Sequence, residues 1–320
     1  MSVSVSLSAS KADSSLLASA SLKRRVLGGL SGGLTGAAAL IIVAIVITIV
    51  VTIVIGGWDH LTWEFLTEAP KEGMMEGGIY PAIIGTVLMT LLMSIMSVPL
   101  GTITAIYLSE YAKPTSVFAR AIRFAVNTLA SIPSIVFGLF GLGFFVQFIG
   151  KGIDSVANPG TLVWGQPNIL WASMTMGLLT MPVVIVSVEE AIRNVPRDWR
   201  DASLALGATR LQTIRKIVLP SSMSGILTGM ILAISRGAGE VAPILFTGAA
   251  FFLPQIPSSL SHQFMHLGYH IYVLATQSAN VDKTIPLQYA TTLVLLALTF
   301  SLNFVAVILR SRLRNKQQLG

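Results

Sequence analysis

The stretch SRGAGEVAP, residues 235–243, sets Arg236 and Glu240 four residues apart inside a long apolar run. In a helix lying in lipid, each charge costs roughly 2.5–3.5 kcal/mol near the centre. The i, i+4 spacing brings both onto one face, where they can neutralise each other. Arginine stays protonated, and its planar fork matches an oxyanion in bidentate fashion. The pair therefore has two readings. It can hold a passing anion, with Glu240 as the resting counter-charge that yields when the anion arrives, or it can be glue between packed helices. Gly237 and Gly239 leave room beside it for a ligand or a partner helix. Arg236 falls about 15 residues into its run, roughly 23 Å along a helix and near the middle of a membrane.

The elements that must carry this pair are apolar helices. The chain is 53% hydrophobic and 11% charged, against about 25% charged residues in soluble domains. Six segments, near 27–56, 80–109, 121–149, 168–188, 221–248 and 287–310, each reach the roughly 20 apolar residues needed to cross a bilayer. The first is too long for the apolar region of a signal peptide and is expected to be retained. Residues 1–26, rich in serine and alanine, read as a flexible tail, residues 27–314 as the transmembrane domain, and 315–320 as a second tail. With both termini cytoplasmic, 17 of the 21 lysines and arginines fall inside, leaving Lys71, Lys151 and Lys283 outside and Arg236 within a span. The net charge of +7 thus reports membrane orientation rather than nucleic-acid binding. Without cysteine there is no disulfide framework and no thiolate metal site.

The longest inside loop, residues 189–220, is more than a tether. Asp198 or Asp201 is placed to cap a short helix whose Trp199, Ala202, Leu204 and Ala205 form a half-buried face. Gly207 supplies the turn that ends it. A second amphipathic stretch follows with Leu211, Ile214 and Ile217, and Pro220 sets the entry to the fifth span. Periodicity alone leaves two readings open: a rigid knob facing a partner, or a basic loop lying at the lipid interface.

The spacing D-A-S-x₃-G-x₉-I-x-L-P in this loop resembles the EAA loop of ATP-binding-cassette importer permeases. Asp201, Ala202 and Ser203 stand where that family has an acidic–Ala–Ala triplet, while Gly207, Ile217, Leu219 and Pro220 match as they are. Further blocks, PLGTITAIYLSEYA from Pro99, SIPSIVFGLFGLGFF from Ser131, LLTMPVVIVSVEEAIRNVP from Leu178, SRGAGEVAP itself and QFMHLGYHIYVLATQSANV from Gln263, resemble the PstA-type permeases of phosphate importers over residues 80–310. The resemblance implies an all-α, six-helix permease of the MetI-like importer fold in a bacterial cytoplasmic membrane. It makes Asp201, Ala202, Ser203, Leu206, Gly207, Ala208 and Thr209 the loop that docks on the ATPase, and favours Arg236 and Glu240 as lining the path. It further implies two copies of a PstB-type ATPase, a PstC-type partner permease, a PstS-type binding protein, and phosphate as substrate.

The chain contains no G-x₄-G-K-[ST] phosphate loop and no recognisable nucleophile–base set, so it reads as a transport subunit, not an enzyme, with no cofactor or metal. His262, His266 and His270 recur at fourfold spacing, which suits metal ligands on one helical face or, in so apolar a setting, a re-entrant helix with polar tips. Gly138, Gly141 and Gly143 suggest close packing or a gate. Pro133 and Pro182 are expected to kink their helices, and Glu189 and Glu190 to be solvated. Rival readings are a permease for sulfate or molybdate, the sister PstC-type subunit, an ion-coupled secondary transporter, or a membrane scaffold. No inverted repeat or discontinuous helix is evident to favour the secondary transporter.

Overall fold

A computed structural model describes residues 4–318 except 75, 114 and 279. The chain divides into two units, Met1–Ile55 and Gly56–Gly320. The first consists of most of a single helix, α1 (Ser4–Gly57). Its backbone is already helical across residues 4–26, the segment read as a tail, and residues 1–3 and 319–320 lie outside the described residues.

In the second unit, residues 58–79 form a small cap. It contains α2 (Trp63–Thr67), N-capped by the Thr62 hydroxyl, and a hairpin of β1 (Pro70–Lys71) and β2 (Glu76–Gly77) with Pro70 opposite Gly77. Then follow α3 (Tyr80–Ile106), running into a π-helical turn at Tyr107–Tyr111, and α4 (Val117–Ser131). The next span joins α5 (Ser134–Gly141), a π-helical stretch Leu142–Gly150 and α6 (Lys151–Ala157). After α7 (Ile169–Arg193) come α8 (Arg197–Ala205), α9 (Arg210–Thr213), a π-turn Ile214–Val218 and α10 (Leu219–Gly239). The chain ends with α11 (Ile244–Thr247), α12 (Leu267–Thr276) and α13 (Val281–Gln318). Among the described residues, six helical segments are long and apolar enough to cross a membrane. α7, with 25 residues, extends about 37 Å, ample for roughly 30 Å of hydrocarbon.

Two of the expected spans are built differently. The helix expected over 121–149 is two helices. Ile132, held extended by the proline that follows it (ψ 133°), and Pro133 (ψ 139°) end α4 before α5 begins, so Pro133 separates helices where a kink was expected. Pro182 lies inside an α7 that runs on to Arg193. The fifth span stops at Gly239, nine residues before its expected end.

α3, α7 and α10 pack as the central group, with α13 against α10 and α12. Small residues make this possible, as van der Waals contact between close backbones is what holds helices together in lipid. A Cβ on Gly225 would lie 2.1 Å from the Ala191 Cβ, and one on Gly229 3.1 Å from that of Ser187, so α10 and α7 meet through these glycines. Gly138 and Gly141 are packing positions too, the latter against the Thr175 hydroxyl, whereas Gly143 faces open space. One core, around Met89, Met93, Met176, Ile244 and Phe264, fills the end nearer the cap. A second, around Ala105, Val184, Val188, Ile192 and Val218, fills the end nearer α8. Between the spans, buried Asp154 gathers the backbone N–H groups of Val163, Trp164 and Gly165 at 2.6–2.9 Å and fixes the loop that leads into α7.

The three histidines do not share a helical face. α12 starts at Leu267, with His266 as its N-cap; His262 lies ahead of it, exposed and 3.2 Å from the Ser258 hydroxyl. His266 and His270 are buried at 0% and 4% exposure. The Nδ1 of His266 accepts the Gly268 N–H at 3.2 Å, which requires that nitrogen to be unprotonated. Burial pushes the His266 imidazole down to about 3 and that of His270 to about 4, from 6.5. Both are neutral at pH 7 in the folded protein. Unfolded, each takes up a proton near pH 6.5, so stability is fully present above that pH and is lost as pH falls towards 4. Each histidine removes about 1.4 kcal/mol per pH unit in that window. The melting temperature of the purified protein is therefore expected to drop between pH 7 and 5, and a His266→Gln/His270→Gln variant to show a flatter slope. An identical slope in the variant would refute the assignment.

Candidate functional site

Arg236 stands in the last turn of α10, and Glu240 is the first residue past its end, with extended backbone (φ −80°, ψ 135°). The pair thus marks a helix break, not the middle of a continuous helix. Locally the cause is GAGEVAP: two glycines lower helix propensity, and Pro243 disfavours helical geometry at Ala242 and supplies no N–H. The expectation of unbroken helices fails here. A break leaves carbonyls at the α10 C-terminus without intrahelical partners, and a cation in the last turn complements that negative end.

The two charges are held loosely. Arg236 Nε lies 3.6 Å from Glu240 Oε1, an ion pair too long for a hydrogen bond. Arg236 donates no hydrogen bond to another described residue. The side chains are 40% and 25% exposed. Both readings of the pair, a path-lining cation and glue between packed helices, remain compatible with this exposure. The glycines beside it differ. Gly237 is buried, and a Cβ there would come within 2.3 Å of the Met93 sulfur, so it serves the packing of α10 on α3. Gly239 faces open space, as expected for both. Next to the pair, Ser235 Oγ lies 2.7 Å from Asn303 Oδ1 on α13. Asn303 is a signal the sequence does carry, an amide within an apolar span.

At the other end of α10, about 25 Å away along the helix, the loop forms two short helices about Gly207, whose φ of 84° suits glycine. The cap is neither Asp198 nor Asp201. Pro196 occupies the N-cap of α8 without a side-chain bond, and Asp198 sits in the first turn. α9 starts with a reciprocal capping box between Thr209 and Gln212. The expected half-buried face is in fact uncovered: Trp199, Ala202, Leu204 and Ala205 are exposed, as are Asp201 and Thr209, and Leu206 is 90% exposed. Ala208 is intermediate, and Ser203 points inward, its hydroxyl 2.9 Å from that of buried Thr213. This bond locks α8 onto α9 and explains why a small polar residue fits there.

Arg200 ties the loop to the spans. Its Nη2 donates to Glu110 Oε1 at 2.8 Å and to the Ile192 carbonyl at 2.8 Å, and its Nη1 to the Val195 carbonyl. Both members of the Arg200–Glu110 pair are largely covered, at 18% and 10% exposure. Arg210 donates to the Glu110 carbonyl and lies 5.2 Å from the centre of the Tyr111 ring. One carboxylate at the foot of α3 thus receives the loop, which sequence spacing gave no means to find. Glu189, expected to be solvated, is 9% exposed and bridges Arg123 of α4 and Arg193 of α7. Among the described residues no group of three or more His, Asp or Glu side chains is placed to hold a metal ion.

A family model described as "Binding-protein-dependent transport system inner membrane component" matches residues 97–315. "Probable ABC transporter permease protein YqgI" of Bacillus subtilis (strain 168) is 34% identical over 60% of this chain and 60% of its own length. "Phosphate transport system permease protein PstA 1" of Mycobacterium tuberculosis (strain CDC 1551 / Oshkosh) is 36% identical over 59% and 56%. "Phosphate transport system permease protein PstA" of Xylella fastidiosa (strain Temecula1 / ATCC 700964) is 29% identical over 79% and 82%. The chain spans 60% or less of the length of the first two of these relatives. The fold is shared with a bacterial ABC transporter that imports alginate, at a TM-score of 0.53, 15% identity and coverage of 76% and 80%. It is shared too with the MetNI methionine ABC transporter in an inward-facing conformation, at 0.50, 17%, 74% and 94%. With about two thirds of its residues under the family model, and six apolar helices in the same fold, the chain belongs to the binding-protein-dependent transport system inner membrane components, as a multi-pass membrane protein.

Proposed function

We propose that this chain is the transmembrane permease subunit of an ATP-driven phosphate importer, forming half of the translocation path beside a PstC-type partner. Two PstB-type ATPases drive it, and a PstS-type protein delivers phosphate from outside. The substrate class rests on relatives named as phosphate permeases. The observation that carries the reading is the loosely held guanidinium of Arg236, 40% exposed at a helix break with its hydrogen-bond donors free. A phosphate oxygen arriving at 2.7–2.9 Å outcompetes a carboxylate at 3.6 Å, because a charge-assisted hydrogen bond replaces a bare ion pair. Glu240 keeps the cation neutralised between passages, and its place in extended backbone lets it swing aside without unwinding α10.

The uncovered apolar side chains of α8, with Leu206 and Leu211, suit insertion into a groove of the ATPase. Arg200 and Glu110 then carry the loop's movement into α3, and the continuous run from α9 into α10 carries it towards Arg236. The excess of basic residues at the loop end supports both termini being cytoplasmic.

Two outcomes test this in vesicles holding the whole complex. Arg236→Gln is expected to lower ATP-dependent uptake of radiolabelled phosphate about 10- to 100-fold, the loss of one charge-assisted contact, with subunit assembly intact; undiminished uptake would refute it. Sulfate and molybdate in excess should leave wild-type uptake unchanged. For the loop, Arg200→Gln is expected to retain the ATPase on purification while uptake per ATP hydrolysed falls about tenfold. An Arg200→Glu/Glu110→Arg exchange should restore part of that ratio, and a ratio unmoved by Arg200→Gln would rule out the coupling role.

A further inference from the structure

At the loop end, separate from Arg236, the foot of α3 forms an open cleft of about 830 Å³ with α4, the end of α7 and the start of α8. Six basic side chains converge on it: Lys113, Arg120, Arg123, Arg193, Arg197 and Arg200. Their carboxylate partners fall short. Glu189 serves both Arg123 and Arg193, and Glu110 serves Arg200. Lys113, Arg120 and Arg197 have no carboxylate within ion-pairing distance among the described residues, and Asp201, which lines the same cleft, pairs with none of them. Like charges brought together in a concave site repel one another and raise the local anion concentration.

Two further features point inward. The wall at Tyr107–Tyr111 is a π-helical turn, a departure from α-helix that costs hydrogen-bond geometry and is frequent at functional sites. Ser109, within that turn, lines the cleft, and its hydroxyl oxygen is buried without a hydrogen-bond partner. A buried hydroxyl of this kind is costly unless something completes it. Guanidinium forks and an ammonium are the donor set that recognises phosphate oxygens. The volume lies in the range of small-molecule sites.

The geometry points to a binding site for a phosphate-bearing anion at the foot of α3, held by Lys113, Arg120 and Arg197, with Ser109 in the turn that lines it. Two sources share this chemistry: inorganic phosphate in solution, and the phosphate headgroup of an anionic phospholipid. The site stands independently of the import reading, because its test reads equilibrium binding and not transport.

The test uses the full complex carrying Arg236→Gln, so that the candidate path site does not contribute. In one arm, delipidated protein in detergent is titrated with radiolabelled inorganic phosphate. In the other, the complex is placed in nanodiscs of phosphatidylcholine alone or with one-fifth phosphatidylglycerol, and retention of phosphatidylglycerol and the melting temperature are measured. Saturable binding in either arm, weakened at least tenfold by Arg120→Gln/Arg197→Gln and a few-fold by the charge-neutral Ser109→Ala, supports the site and identifies its source. Binding that neither variant changes in either arm overturns it. So does loss of the ATPase subunit on purification of the double variant with probe binding unaltered, since the cations would then be a docking surface for an acidic protein.

Discussion

A guanidinium within an apolar span has to be compensated, and the structure compensates Arg236 only in part. A tight, fully bonded pair with Glu240 would be stable and inert. The 3.6 Å separation, together with partial exposure of both side chains, leaves the cation neutralised at long range while its donors stay available. The helix break contributes to both halves of this arrangement. It places the arginine at the negative end of α10, which favours the charge, and it puts Glu240 on extended backbone, outside the helical ladder. Without the break, Arg236 and Glu240 would sit one turn apart on a rigid helix, free to close into a permanent contact.

The remainder of the fold keeps that end of α10 in register with the loop some 25 Å away. Close approach through Gly225, Gly229 and Gly237 makes α3, α7 and α10 a packed unit, so movement at one end is transmitted rather than absorbed. At the loop end, ion pairs and carbonyl acceptors take over from apolar packing. Arg200 joins α8 to α3 and α7, Glu189 joins α4 to α7, and Ser203 with Thr213 holds the two short helices together. The loop leaves Trp199, Leu204, Leu206 and Leu211 uncovered among exposed polar and charged side chains such as Asp201 and Thr209.

Much of this was legible in the chain. Six apolar lengths yield six spans, and the helix–glycine–helix of the loop follows from its turn chemistry. The packing role of Gly225 and Gly229 follows from their small size. Other features were hidden for definite reasons. The α10 break is invisible to hydropathy, because VAPILFTG continues the apolar run past Glu240. Pro133 signals a disturbance, but only geometry shows that α4 is a separate helix. Amphipathic spacing in α8 reveals that two faces differ without saying which is covered, and Trp199 and Leu204, expected inward, face out. Glu110 and Arg200 are 90 residues apart, and no local pattern links them.

The central claim is that the transported anion meets the Arg236 guanidinium at the end of α10. A structure of the whole complex, trapped with phosphate inside it, tests this most directly. The account predicts a phosphate oxygen within hydrogen-bond distance of Arg236, with Glu240 displaced from its contact. Phosphate held elsewhere along the path, with Arg236 turned to lipid and still paired with Glu240, would contradict it.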